Sequence, residues 1–170
     1  MGRGAKLSLV LVVLVVAVIV GSILLVPPKR ALSAAIMRDC IGVIKERVRG
    51  DLRVKSVAAI QPDPNKRKIE DFGSATQVLI RRGALEPSEP EVLVEFETDQ
   101  GVQNALCTYQ ADLWMESGTY SSVSRREIQV GLQTLPSVEL LLMGDFRVGY
   151  IDRVLSLFPI IGTKQKFFLD

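Results

Sequence analysis

The sequence predicts an α+β domain carried on a single N-terminal transmembrane helix. Three observations predict it. Leu7–Val26 is an uncharged run of 20 residues. Leu32–Val48 repeats its apolar residues at helical steps. Two later stretches, Glu91–Thr98 and Gln103–Leu113, alternate apolar and polar residues around a turn.

The first run, LSLVLVVLVVAVIVGSILLV, is broken only by Ser8, Gly21 and Ser22. At about 1.5 Å per residue it spans about 30 Å as a helix, the thickness of a bilayer's hydrocarbon core. Lipid offers the backbone no hydrogen-bond partners, so helix is the one single-segment solution there. A cleaved signal peptide has a shorter apolar core of about 7–15 residues and a small-residue cleavage site. Here the run ends in Val26-Pro27-Pro28-Lys29-Arg30. The expected organisation is a cytoplasmic stub over 1–6, a signal-anchor helix over 7–26 and an extracytoplasmic domain over 27–170.

Leu32, Ile36, Cys40, Val43, Ile44 and Val48 form one stripe of the next element, and Arg38, Asp39, Lys45, Glu46 and Arg49 fill the other face. Ser33 is placed to cap this helix and Gly50 to close it. Leu52–Ile60 then reads as a first strand and Gln61–Ser74 as a loop. Ala75–Arg81 reads as a second strand, and Gly83–Pro90 as a loop with two prolines.

The alternation in Glu91–Thr98 puts Val92, Val94 and Phe96 inward; in Gln103–Leu113 it does the same for Ala105, Cys107, Tyr109, Ala111 and Leu113. Leu93 and Leu106 are the two exceptions. The inward set is even-numbered before the turn and odd-numbered after it, so the connecting loop must hold an even number of residues. Asp99–Val102, with Gly101 free to take positive φ, satisfies that. An antiparallel sheet of four or more strands with the helix across one face follows. The outline of anchor, helix and meander is similar in general shape to pilin-like and cystatin-like arrangements. The pilin signature, a processed glycine with a glutamate five residues beyond, is absent, and no family is assigned. After Leu113 the pattern is less regular: a polar stretch Trp114–Ser124, Glu127–Leu135 as strand or helix, a short apolar run Val138–Met143 and a mixed element Phe146–Phe158.

Composition excludes several kinds of chemistry. The chain has no histidine. That rules out Ser-His-Asp and Cys-His catalysis, histidine metal ligands and a histidine pH switch. Without Arg3 and Lys6 the 21 basic residues become 19, matching the 19 acids. A neutral domain lacks the footprint of a nucleic-acid binder. Glu95 and Glu97 share a strand face and read as a solvated surface. Asp63, Asn65, Glu70 and Asp71 lack calcium-loop spacing. No glycine cluster forms a phosphate loop and no serine sits in a nucleophile elbow. Lys66-Arg67-Lys68 is a small basic run that could touch acidic lipid or a partner, but Glu70 and Asp71 follow at once and it reads as a solvated loop, as does Arg125-Arg126-Glu127. No catalytic, cofactor-binding or metal-binding residue is assigned, and no cofactor is expected.

Cys40 and Cys107 are the only cysteines. Both fall on inward faces, so they are expected to approach each other as a disulfide or as a reduced core pair. The first choice, with the short basic tail before the anchor, places the domain outside the cytoplasm, in the periplasm if the source is bacterial. The C-terminal part is dense in large apolar residues: Phe146, Ile151, Leu155, Leu157, Phe158, Ile160, Ile161, Phe167 and Phe168, with Arg147, Arg153, Lys164 and Lys166 interleaved. These are the candidate surface for docking a partner or the membrane, against the plain alternative that they complete the core. The expected role is a non-catalytic accessory or assembly subunit of a membrane complex. The alternative is a membrane-tethered binding module for a small ligand, lipid or cargo.

Overall fold

Pro28 at the first position starts the central helix, because its missing N–H falls where helices have no intrahelical acceptor anyway. In the computed structural model of the chain this helix, α2, runs Pro28–Arg47. The structure describes residues 3–48, 50–60, 68–160 and 162–167; the side chains of residues 3–9, 19, 22–24 and 121 lie outside that description. The helix thus begins four residues before Leu32. Ser33 is not its cap: the hydroxyl donates to the carbonyl of Lys29 at 2.9 Å within the helix. All of Leu32, Ile36, Cys40, Val43 and Ile44 are buried, and so are Ala31, Ala34, Ala35, Met37 and Ile41. Burial around so much of the circumference means that α2 is covered on two sides.

One side is the sheet. Its strands are β1 Arg53–Ile60, β2 Leu85–Ser88, β3 Glu91–Thr98, β4 Gly101–Trp114, β5 Thr119–Val130, β6 Gln133–Thr134 and β7 Lys164–Lys166. The order is β6-β5-β4-β3-β1-β7, with β2 beside the C-terminal end of β4. All pairings are antiparallel except β1 with β7, so the sheet is mixed. Val92, Val94, Phe96, Ala105, Cys107, Tyr109, Ala111 and Leu113 are all buried, as the alternation predicts. The β3–β4 register ends on Thr98 opposite Gly101, with φ +105° at Gly101. The loop is therefore Asp99-Gln100, even in number but two residues shorter than expected. Leu93 and Leu106, the two exceptions, are directly opposed on the outer face.

Three expectations are corrected. Ala75–Arg81 is helical: α3 spans Ser74–Arg81. Its apolar residues fall at 78, 79 and 80, too few to separate the two periods by sequence. The stretch 83–90 is not all loop, because β2 continues the β3–β4 register without a slip, from Leu85 opposite Trp114. Pro87 and Pro90 interrupt rather than prevent strand here, since proline is tolerated where its missing N–H is not needed by the ladder. Pro90 still accepts at its carbonyl from the Tyr109 N–H, at 2.9 Å. Third, 114–124 is the turn and start of a second hairpin, β4–β5, which carries two irregularities that break simple alternation.

α4 Ser137–Leu142 packs on β5, and the C-terminal segment then covers the other side of α2 with α5 Tyr150–Leu155. It runs antiparallel to α2. Glu139 of α4 pairs with Arg47 at the end of α2. The carbonyls of Leu155 and Ser156 accept from Arg38 at the middle of α2 and Arg30 near its start. Those guanidiniums satisfy helix-terminal carbonyls of α5, where positive charge is favoured.

Helix α1 spans Arg3–Leu24. Val10–Val18 are all exposed. Leu25 is 83% exposed and Val26 is buried against the domain, so the helix stops before the apolar run does. Among the described residues no helix is long and apolar enough to cross a membrane. Part of the span expected over Leu7–Val26 lies outside the described side chains.

Candidate functional site

The domain has two ends, set by the direction of α2. About 30 Å separates the first and last residues of a 20-residue helix. The near end, where the chain leaves α1, holds Pro28, the β4–β5 turn and α5. The far end holds Arg47, the β3–β4 and β5–β6 turns and α4. Between them the domain is locked by covalent and polar contacts.

Cys40 and Cys107 form a disulfide, with Cα atoms 6.0 Å apart. It fastens the middle of α2 to the middle of β4. Next to Cys40 in the chain, the Asp39 carboxylate pairs with the Arg125 guanidinium through Nε and Nη2, the Nε bond being 2.9 Å. The Tyr109 hydroxyl donates to the same carboxylate at 2.9 Å. Arg125 Nη1 also donates to the carbonyls of Gly144 at 2.7 Å and Met143 at 3.3 Å. The Phe146 ring lies edge-on to Tyr109, centroids 6.2 Å apart, and under Arg125 at 5.3 Å. Burial, then the neighbouring Asp39 charge, pushes the Tyr109 phenol well up. Burial pulls the Arg125 guanidinium down, but the hydrogen bond and charge of Asp39, with Tyr109 and Asp145, together outweigh it and the net shift is up. The polar groups of this cluster bond one another or backbone carbonyls at the edge of the core, and none lines either of the two hollows described below. The arrangement is a tie between α2, the sheet and the C-terminal segment, not an acid–base pair awaiting substrate. Sequence reasoning passed over Asp39 and Arg125 as surface charges; only contact across the fold distinguishes them.

The candidate docking residues divide. Phe146, Ile160 and Phe167 pack against the core, and Arg30 sits 5.2 Å above the Phe167 ring. Ile151 is 73% exposed, Phe158 61%, Leu157 41% and Leu155 36%. Ile161 and Phe168 lie outside the described residues. The exposed members flank a shallow apolar groove of about 340 Å³ lined by Arg38, Ile41, Lys45, Leu155, Phe158 and Ile160.

The far end carries a second apolar surface that the sequence reading did not single out. On α4, Leu140 is buried and Glu139 is paired, while Val138, Leu141 and Leu142 stand 68%, 79% and 83% exposed. Their i, i+3, i+4 spacing makes one outward stripe. Leu132, in the β5–β6 turn, is 99% exposed. Beside them opens a cleft of about 760 Å³ lined by Thr98, Gln100, Gln103, Gln133, Thr134 and the Arg47–Glu139 pair among others. A six-residue helix with four apolar residues in Val138–Leu142 can bury only one face, and that surplus is the signal available in the sequence.

No protein-family model, curated protein or solved structure matches the chain. The outer sheet face supplies no third candidate. Glu97 is held by Lys55 at 2.5 Å, which lowers its carboxyl below the ordinary value through that hydrogen bond. Among the described residues no group of three or more cysteine or acidic side chains is arranged to hold a metal ion.

Proposed function

We propose that the chain is a non-catalytic, membrane-anchored subunit that supports assembly of a membrane protein complex, and that it meets its partner through the far end. The observation that carries this reading is the outward stripe of Val138, Leu141 and Leu142, together with Leu132. Large aliphatic side chains held this far into water on a fixed helix have no role in the chain's own core. Contiguous exposed apolar area of this kind marks interaction sites. The anchor is the uncharged run Leu7–Val26, which has the length of a bilayer span. The disulfide supports an extracytoplasmic domain, since such bonds persist in oxidising compartments.

The alternative, a tethered binding module, is favoured by one observation, the 760 Å³ cleft. Its lining mixes apolar side chains such as Val48, Val130 and Leu135 with amides, hydroxyls and the charged Arg47, Asp99 and Glu139, a more polar wall than the mostly apolar lining of small-molecule sites. A rim beside a docking stripe explains it equally well.

The test is a photoreactive residue at position 141 in the full chain, irradiated in its native membrane. A discrete crosslinked adduct is expected there, and none from the same residue at position 95 on the outer sheet face. A chain that crosslinks from neither position would overturn the reading.

A further inference from the structure

The near end of the domain is also apolar, and its chemistry differs from that of the far end. Gly118, in the β4–β5 turn, lies so close to the start of α2 that a Cβ there would be 3.7 Å from the Pro28 side chain. The same turn presents Trp114, the only tryptophan, 37% exposed, and Met115, 51% exposed. Met115 donates its N–H to the carbonyl of Ala84 at 3.1 Å, which brings the exposed Arg81 and Arg82 at the end of α3 to the same end. Lys29 pairs with Glu86 of β2 at 3.6 Å. On the other flank α5 touches both α1 and α2. Its Tyr150 and Ile151 are 71% and 73% exposed, and Arg153 lies 5.6 Å over the Tyr150 ring.

We propose that this end is a lipid-facing base. Trp114 and Met115 on one flank and Tyr150 and Ile151 on the other would rest in the headgroup layer, and Arg81 and Arg82 would meet anionic lipid phosphates. The inference rests on the anchor reading of Leu7–Val26. Two features single out a bilayer as the occupant. The surface surrounds the point where α1 meets the domain, so a membrane holding α1 must lie against it. Its composition is also that of an interfacial belt: one tryptophan, one tyrosine, aliphatic side chains between them and arginines at the rim. Among the described residues the far-end stripe, by contrast, is aliphatic, and Arg47 beside it is paired with Glu139. Tethering raises the effective concentration of the base at the surface, so modest contacts suffice. Anionic lipid adds attraction for each nearby cation. The base fixes the tilt of the domain and aims the far end about 30 Å away from the bilayer.

Because Trp114 is the only tryptophan, it reports on this directly. The full chain is reconstituted into phosphatidylcholine vesicles containing a quarter phosphatidylglycerol, and its flotation with the vesicles is checked first. Lipids brominated near the glycerol end of their acyl chains should then quench Trp114 at least twofold more than aqueous iodide does. Replacing phosphatidylglycerol by phosphatidylcholine, or Arg81 and Arg82 by Gln, should reduce that quenching. An environment-sensitive thiol label on Ile151→Cys should show the same preference for the apolar phase, the native cysteines being bonded. Failure to float overturns the anchor reading and this inference with it. Flotation with Trp114 and position 151 both open to iodide and unquenched by bromolipid overturns this inference and leaves the anchor standing.

Discussion

Replacing Asp39 by Ala should cost the domain about 3 kcal/mol and loosen its C-terminal third first. The side chains of Asp39 and Arg125 are only 15% and 10% exposed. Removing one partner of a buried pair typically costs about 3–5 kcal/mol, because the remaining charge is left buried without compensation. The low end applies here, since Arg125 keeps the carbonyls of Gly144 and Met143 as acceptors. For a domain of this size about 3 kcal/mol lowers the melting temperature by about 10 °C. The assay is thermal unfolding of the full chain in detergent, read by circular dichroism, with amide exchange measured at residues 143–158. Exchange should rise there before it rises in β3 and β4. An apolar pair, Asp39→Leu with Arg125→Met, should recover much of the loss, because no charge then stays buried. The two single variants and the double close a cycle. If each single variant costs less than about 1 kcal/mol, the pair behaves like an exposed salt bridge, and its role as the tie is refuted.

Reducing the Cys40–Cys107 bond, which closes a loop of 67 residues, should cost about 4 kcal/mol in the chain-entropy model; equal melting temperatures with and without reductant would count against it. The Tyr109 and Tyr120 phenols are both raised, chiefly by burial. A raised phenol favours the fold below the unfolded value of about 10, and that contribution is lost as pH rises from there towards the folded value. Absorbance titration should therefore show these two tyrosines ionising only with unfolding, and smooth ionisation in the native protein would contradict their burial. Leu157→Ser with Phe158→Ser should lower stability by less than about 2 kcal/mol in total, since the two residues are already 41% and 61% exposed; cooperative collapse of the domain in a denaturant titration would assign them to the core instead.

The sequence by itself determined whatever depends on period and sign along one segment. The even-to-odd parity across Asp99-Gln100 placed Val92, Val94, Phe96, Cys107 and Tyr109 on one face, because side chains alternate strictly along a strand. That placement, with the stripe through Cys40, brought the two cysteines together. The uncharged run Leu7–Val26 and the missing histidine needed no fold at all to be read. Tertiary structure decided what depends on contact between distant segments. Ser74–Arg81 is helix and Leu85–Ser88 is strand because each segment is too short to reveal its period, and pairing with β4 supplies what local preference does not. Phe146, Ile160 and Phe167 went to the core while Ile151 and Phe158 stayed outside, although their composition is alike, because α2 can be covered by only one side of the segment laid over it. Asp39 and Arg125 are 86 residues apart, and nothing local marks either one. They became a buried tie only when the segment after β5 folded back along α2, since the free energy of a charge depends on what surrounds it and not on its place in the chain.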